Sequence, residues 1–160
     1  MPPAETQTPG EPAPAGISLP DQNGQQVSLD EFAGRNLVVY FYPMDDTPGC
    51  TVEGKEFREL FDQFSELDCT ILGVSTDSVD SHKAFAEKHA FPFRLLSDQN
   101  GEMASAFGVL KNGVAARSTF VLDRDLRIRK AFNDVTPRGH AQQVLAFVRT
   151  IIESHRMLGG

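Results

Sequence analysis

Phe41-Tyr42-Pro43-Met44-Asp45-Asp46-Thr47-Pro48-Gly49-Cys50 is the stretch from which the rest of the chain can be read. An apolar run from Leu37 to Tyr42 stops at a proline, a short acidic loop follows, and Thr-Pro-Gly-Cys opens a segment with helical periodicity. The order is strand, loop, helix start. Thr47 suits the N-cap, and Pro48 suits the first helical position, where its missing N–H costs nothing. Cys50 then falls in the first turn, where unpartnered backbone N–H groups and the helix dipole favour a thiolate. Such a site can pull a cysteine pKa well below its free value of about 8.5. Cys50 is the candidate nucleophile. The bland alternative is a small buried hydrophobe, the usual fate of a free cysteine.

Beyond Cys50, the residues Gly54, Phe57, Leu60, Phe61 and Phe64 recur at helical spacing on the same face as the sulfur. Thr70 to Ser75 is a continuous apolar run, the mark of a buried parallel strand, so strand, helix and strand make a βαβ unit. Val79 to His89 has the pattern of a second amphipathic helix, Phe91 to Leu96 that of an edge strand that tolerates Pro92, and Gly101 to Phe107 that of a short helix stopped by Gly108. Ser118 to Leu122 and Leu126 to Phe132 flank Asp123-Arg124-Asp125 as an antiparallel hairpin. The alternation of Ile128, Lys130 and Phe132 predicts one solvated face there. A last helix runs from about Pro137 to Ile152.

Upstream, Ile17 to Pro20 and Gln26 to Leu29 surround Asp21-Gln22-Asn23-Gly24, a strong hairpin signal. Asp30 to Gly34 reads as a short helical turn closed by glycine. Residues 1 to 15 hold five prolines (Pro2, Pro3, Pro9, Pro12, Pro14) and, after Met1, no large apolar side chain, which predicts a disordered tail before a single domain over residues 16 to 157.

The chain has 160 residues, enough for a core without disulfide or metal staples. Its formal charge of −7 and the lack of a basic stripe argue against nucleic acid as a partner. Neither a signal-peptide pattern nor a long apolar run is present, so the expectation is a soluble, cytoplasmic protein with no membrane partner. In that compartment two cysteines point to chemistry or to burial. Asp45 and Asp46 are expected to be solvated. His82 and His89 fall on a helix read as solvated, and with His140 and His155 they are too scattered for a metal site.

A βαβ unit followed by a β-hairpin and a closing helix is the thioredoxin-like arrangement, an α/β fold with a central mixed sheet flanked by helices and here an N-terminal β-hairpin. If the strand from 118 to 122 runs antiparallel beside the strand from 37 to 42, Arg117 stands close to Cys50. Cys69, at the far end of the Cys50 helix, lies over ~20 Å away. The two cysteines should not pair in the folded state. A thioredoxin-type dithiol exchanger would need a second cysteine at Thr47 and a cis-proline near Arg117, and neither is there.

Pro43-x-x-x-Thr47-x-x-Cys50, the Tyr-Phe-Tyr-Pro strand end, Leu72 to Asp77, Leu96-Ser97-Asp98, and Arg117 before Ser-Thr-Phe-Val-Leu-Asp resemble a peroxiredoxin, most closely the PrxQ or bacterioferritin comigratory protein class. The likeness covers roughly residues 16 to 155. It implies a thiol peroxidase acting on hydrogen peroxide and organic hydroperoxides with no cofactor. By position, Cys50 matches the peroxidatic cysteine, Thr47 the hydroxyl beside it, Arg117 the active-site arginine, and Pro43 the ring shielding the pocket. Gly49 lends backbone N–H, and Glu53 falls where a group steadying the arginine is often found. Acidic residues near a helix start are also ordinary dipole matching.

Ionisation alone is a small lever. A thiol of pKa ~8.5 is already about 3% thiolate at pH 7, so full ionisation gains ~30-fold, about 2 kcal/mol, while nucleophilicity falls with pKa. Donors aimed at the lengthening O–O bond must supply the rest: Arg117, Thr47 and the N–H groups near Gly49 and Cys50.

This sequence departs from the class at the resolving cysteine. Lys55 stands five residues after Cys50, and residues 78 to 90 contain no cysteine. The expectation is a one-cysteine cycle in a monomer or weak homodimer, with thioredoxin, glutaredoxin or a low-molecular-weight thiol as reductant. The alternatives are a Cys50–Cys69 disulfide formed by local unfolding, and a non-enzymatic, chaperone-like module in which Cys50 is incidental.

Overall fold

The computed structural model describes residues 9–157. Its strands and helices are β1 (Ser18–Pro20), β2 (Gln26–Ser28), β3 (Asn36–Phe41), α1 (Pro48–Glu66), β4 (Cys69–Ser75), α2 (Val79–His89), β5 (Arg94–Ser97), α3 (Glu102–Ala106), β6 (Leu110–Lys111), β7 (Val114–Ala115), β8 (Ser118–Leu122), β9 (Ile128–Phe132) and α4 (His140–Met157). Five strands form one sheet in the order β5-β4-β3-β8-β9. β3, β4 and β5 are parallel, and β8 and β9 add to the other side antiparallel. This is the thioredoxin-like arrangement, with β1 and β2 as the expected N-terminal hairpin.

β3 is central because it can be buried on both faces. Val38, Tyr40 and Tyr42 join Phe57, Phe64, Phe85, Val144 and Val148 on one side. Leu37, Val39 and Phe41 join Leu72, Phe107 and Phe120 on the other, where Leu19 and Val27 of the hairpin also pack. The period of two in β3 thus serves two cores at once. Phe57 of α1 is fully buried and stacks on Tyr40 with ring centroids 4.6 Å apart. Truncating such a ring to alanine costs ~3–5 kcal/mol. Gly54 lets α1 pass Phe91: a Cβ there would lie 2.6 Å from the ring carbon Cζ.

Three expectations are corrected and one element is added. Residues 10 to 13 of the supposed tail pair with the β8–β9 hairpin: Gly10 N–H donates to the Ile128 carbonyl, Ile128 N–H to Glu11, and Ala13 N–H to Leu126. Proline-rich sequence can lie along an edge strand because it needs only every other N–H. Pro2 and Pro3 fall outside the described residues. In β9, Ile128 and Phe132 do not share a face. A register shift opposite Val121 and Leu122 sends Ile128 into one core and sets Phe132 against the other, as a bulge does. The extra hairpin β6–β7 turns at Asn112-Gly113, both with positive φ, a signal of the kind that marked β1–β2. Finally, the closing helix begins at His140, three residues after Pro137, whose carbonyl accepts from His140 N–H.

Candidate active site

The site lies where β3 ends and α1 begins, beside the start of β8. Because β3 and β8 are antiparallel with Phe41 opposite Ser118, Arg117 reaches the mouth of α1. Its Nη2 lies 3.4 Å from Cys50 Sγ, and its Nη1 donates to Glu53 Oε1 at 2.8 Å. The guanidinium bridges sulfur and carboxylate. The Val135 N–H donates to the Arg117 carbonyl and holds its backbone from the β9–α4 connection. Gly49 makes room for the head group: a Cβ there would lie 3.0 Å from Arg117 Nη2 and 3.3 Å from Pro137 Cγ. Val135, as a backbone support for this arginine, and Pro137, as a neighbour of Gly49, are not apparent from the sequence.

Cys50 is 2% exposed. Helix geometry leaves the N–H groups of Gly49 and Cys50 without intrahelical acceptors. Thr47 occupies the N-cap position with extended backbone, but its hydroxyl makes no capping bond. It donates instead to the Met44 carbonyl at 2.8 Å. The hydroxyl proton is thereby committed to the loop, and the oxygen is left as an acceptor. Pro43 is half-buried at the start of that loop.

Glu53 is fully buried, and burial pushes its carboxyl up to about 7 against the lowering effect of Arg117. Its Oε2 has no hydrogen-bond partner, so a proton on that oxygen relieves an unpaired buried anion. For Arg117, burial pulls its pKa down, but Glu53 and the Cys50 sulfur outweigh that and the net direction is up. It is the fixed cation of the site.

Cys69 begins β4 opposite Asn36, at the other end of β3. The 19-residue helix α1 separates it from Cys50 by roughly 25 Å. Both thiols are free. Burial, with a smaller contribution from Asp68, pushes the Cys69 thiol up to about 12.

Two expectations about solvated groups fail. Asp45 is buried, accepting from Tyr42 Oη at 2.6 Å, with Ser81 Oγ at 2.8 Å and His82 Nδ1 at 2.7 Å from its other oxygen. His82 is fully buried, and its Nε2 lies 2.9 Å from the Leu96 carbonyl. Of the two aspartates only Asp46 is exposed, paired with Lys88 at 2.9 Å. His89 is half-buried against Phe85 and Phe91. His140 is buried with its Nε2 2.7 Å from Thr119 Oγ1, and His155 lies outside the described side chains. Asp45, Asp77 and His82 are the one trio close enough to suggest a metal among the described residues, but Asp45 and His82 spend their ligating atoms on each other and on their neighbours.

A thioredoxin-like layer carrying a buried thiol and a guanidinium at the C-terminal end of its central strand defines a protein of cysteine chemistry. The AhpC/TSA family description matches residues 9–131. The chain is 39% identical over 153 residues to Peroxiredoxin Bcp of Bacillus subtilis, covering 90% of this chain and 96% of that protein. It is 38% identical over 142 residues to the chloroplastic Peroxiredoxin Q of Suaeda salsa, covering 86% of this chain but 66% of that protein, about two thirds of its length. Among solved structures, a cysteine-to-serine mutant of Xylella fastidiosa PrxQ superposes with a TM-score of 0.89 at 34% identity, over 93% of this chain and 99% of that one. The Xanthomonas campestris bacterioferritin comigratory protein, studied for its alkyl peroxide reduction activity, gives 0.85 at 38% identity, over 89% and 98%. The chain belongs to the AhpC/TSA family, among the peroxiredoxins of the Q and Bcp group. Among the described residues no helix is long and apolar enough to cross a membrane.

Proposed function

We propose that this protein is a thiol peroxidase for hydrogen peroxide and organic hydroperoxides that works through Cys50 alone. The observation that carries the reading is the Arg117 guanidinium shared between Cys50 Sγ and Glu53. The Cys50 thiolate attacks the terminal peroxide oxygen; an S–O bond forms as the O–O bond breaks. Sulfur loses two electrons, and the leaving alkoxide or hydroxide takes a proton to become alcohol or water. Negative charge spreads from sulfur onto both oxygens in the transition state. Arg117 Nη2 and the N–H groups of Gly49 and Cys50 are the donors that face it. The Thr47 oxygen accepts from the protonated end of the hydroperoxide, and Pro43 presents no competing polar group.

The sulfenic acid is then reduced by an external thiol, thioredoxin, glutaredoxin or a small thiol, because Cys69 is distant, buried and held as the neutral thiol. A cycle that consumes thiols belongs in a compartment that keeps them reduced, and we place the protein in the cytoplasm, as a monomer or weak homodimer. Its plant relatives are named chloroplastic.

Intact mass after one equivalent of peroxide, with a sulfenic-acid trap, tests the proposal on wild type, Cys50→Ser and Cys69→Ser. A trapped adduct on wild type and Cys69→Ser but not on Cys50→Ser is expected. A loss of two hydrogens in wild type alone would make Cys69 the resolving residue, and no fast reaction would remove the peroxidase reading altogether.

A further inference from the structure

The loop from Pro43 to Thr47 leads directly into the first turn of α1, which carries the sulfur, and it is tied to the body of the protein by side chains the reaction itself does not use. Asp45 N–H donates to Asp77 Oδ2 at 2.8 Å. The Asp45 carboxylate takes Tyr42 Oη, Ser81 Oγ and His82 Nδ1, and His82 Nε2 continues to the Leu96 carbonyl of β5. One residue on, Asp46 sits at φ +59°, a left-handed conformation that asparate-type residues adopt at some cost. Lys88 holds its side chain from the far end of α2. Two adjacent residues of the loop thus engage the two ends of α2, Asp45 by a buried pair and Asp46 by an exposed one.

The Leu96 carbonyl can only accept, so Nε2 carries the hydrogen between them, and Nδ1, 2.7 Å from Asp45 Oδ2, ties the same ring to the loop carboxylate.

Cys50 is 2% exposed, so a thiol carried on another protein cannot reach Sγ until the start of α1 and the preceding loop move. We propose that the Asp45–His82 pair is the latch on that movement: it positions Thr47 and Cys50 for peroxide and resists the opening that a bulky reductant requires. His82 and Asp45 are positioning residues, acting through the loop. The proposal rests on the peroxidase reading for its kinetic consequence, but its structural consequence, access to Cys50, does not.

Two substitutions at one position separate the latch from mere packing. His82→Gln can set its amide nitrogen near the place of Nε2 and keep the Leu96 bond while losing Asp45. His82→Asn can set it near Nδ1 and keep Asp45 while losing Leu96. The readout is alkylation of Cys50 in the reduced protein by a bulky maleimide, in a Cys69→Ala background, with circular dichroism confirming the fold. His82→Gln should raise the alkylation rate at least about tenfold, and His82→Asn should return most of the way to the parent. Tyr42→Phe, which removes one donor from Asp45 and leaves His82 in place, should fall between, and supplies the test if His82→Gln does not fold. In turnover, His82→Gln should slow the peroxide step while speeding reduction of the sulfenic acid by a protein thiol, opposite signs that a generally damaged fold would not produce. Equal alkylation of the Gln and Asn variants, or rates unchanged in both His82→Gln and Tyr42→Phe, would overturn the latch. Faster alkylation without any peroxidase activity would leave the latch standing and remove the reading of function instead.

Discussion

Cys50 and Cys69 are the same side chain, almost equally hidden at 2% and 5% exposure, at opposite ends of one helix. At Cys69 the sulfur meets a backbone carbonyl at 3.8 Å, and burial drives the thiol up to about 12. At Cys50 a guanidinium arrives at 3.4 Å from a different strand, with its own carboxylate behind it. Burial by itself makes a thiol inert. Burial beside a fixed cation makes a place where an anion can be held away from water, and that second ingredient separates the end proposed for chemistry from the other end of the domain.

The largest expected effect tests that separation directly. Cys50→Ser should lower the second-order rate constant with hydrogen peroxide by at least ~10³-fold, since the proposed cycle runs through that sulfur. Cys69→Ser should keep the rate within about twofold. Stopped-flow peroxide consumption distinguishes them, and comparable losses in both variants would end the distinction. Next in size is the cation. Arg117→Met should cost ~10²-fold at saturating reductant, the order found when one preorganised donor to a developing oxyanion is removed. Arg117→Lys should recover only part, because a single ammonium cannot fork between Cys50 and Glu53. A lysine variant at full rate would mean that charge matters and the fork does not.

Much of the chemical end could be read from the chain. The run from Leu37 to Tyr42, Pro48 at the helix start and the apolar helix face are local signals, and they place Cys50 within a turn. Arg117 is 67 residues away, yet strand order alone brings it near. Asp45 and His82 were not legible, for a physical reason. An aspartate in a loop and a histidine on an amphipathic helix look solvated unless it is known that the helix packs over the loop, and only the tertiary structure shows the two polar groups burying each other. The pairing of residues 10 to 13 was hidden likewise: composition measures how little core a segment can make, not whether an edge strand waits for it. The Asn112-Gly113 turn, by contrast, has a purely local signal, a dipeptide that takes positive φ at both positions.

A subtler contrast lies between two buried titrating groups of opposite sign, one in the site and one at the start of α4. Glu53 is raised to about 7 and His140 lowered to about 4, burial being the main cause for each. The folded protein holds the Glu53 proton more tightly than the unfolded chain does. Its contribution is therefore complete below about pH 4.5 and lost as pH rises through 7, a loss of ~3 kcal/mol at most. For His140 the folded state resists protonation, so its contribution is complete above about 6.5 and lost as pH falls toward 4. The two slopes oppose each other across nearly the same window. Glu53→Gln should leave stability rising with pH between about 4 and 6.5, and His140→Gln should leave it falling between about 4.5 and 7, while wild type stays flatter than either. Urea unfolding at a series of pH values measures all three, and parallel curves would show that these groups do not govern the acid limb.

The smallest effect returns to Cys69. Alanine there leaves a void of one sulfur atom, worth ~1 kcal/mol, and serine sets a hydroxyl, on a shorter bond than the thiol's, further from the Thr70 carbonyl, for a similar cost in an unsatisfied buried donor. Either should lower the melting temperature by roughly 2–4 °C and leave peroxide turnover unchanged. At a pKa of about 12 only ~1 in 10⁵ of these thiols is ionised at pH 7, so small alkylating reagents should modify Cys50 first and reach Cys69 at the rate of unfolding. Rapid native-state labelling of Cys69 would show that the structural end opens on its own, and would bring back the possibility that the two sulfurs meet.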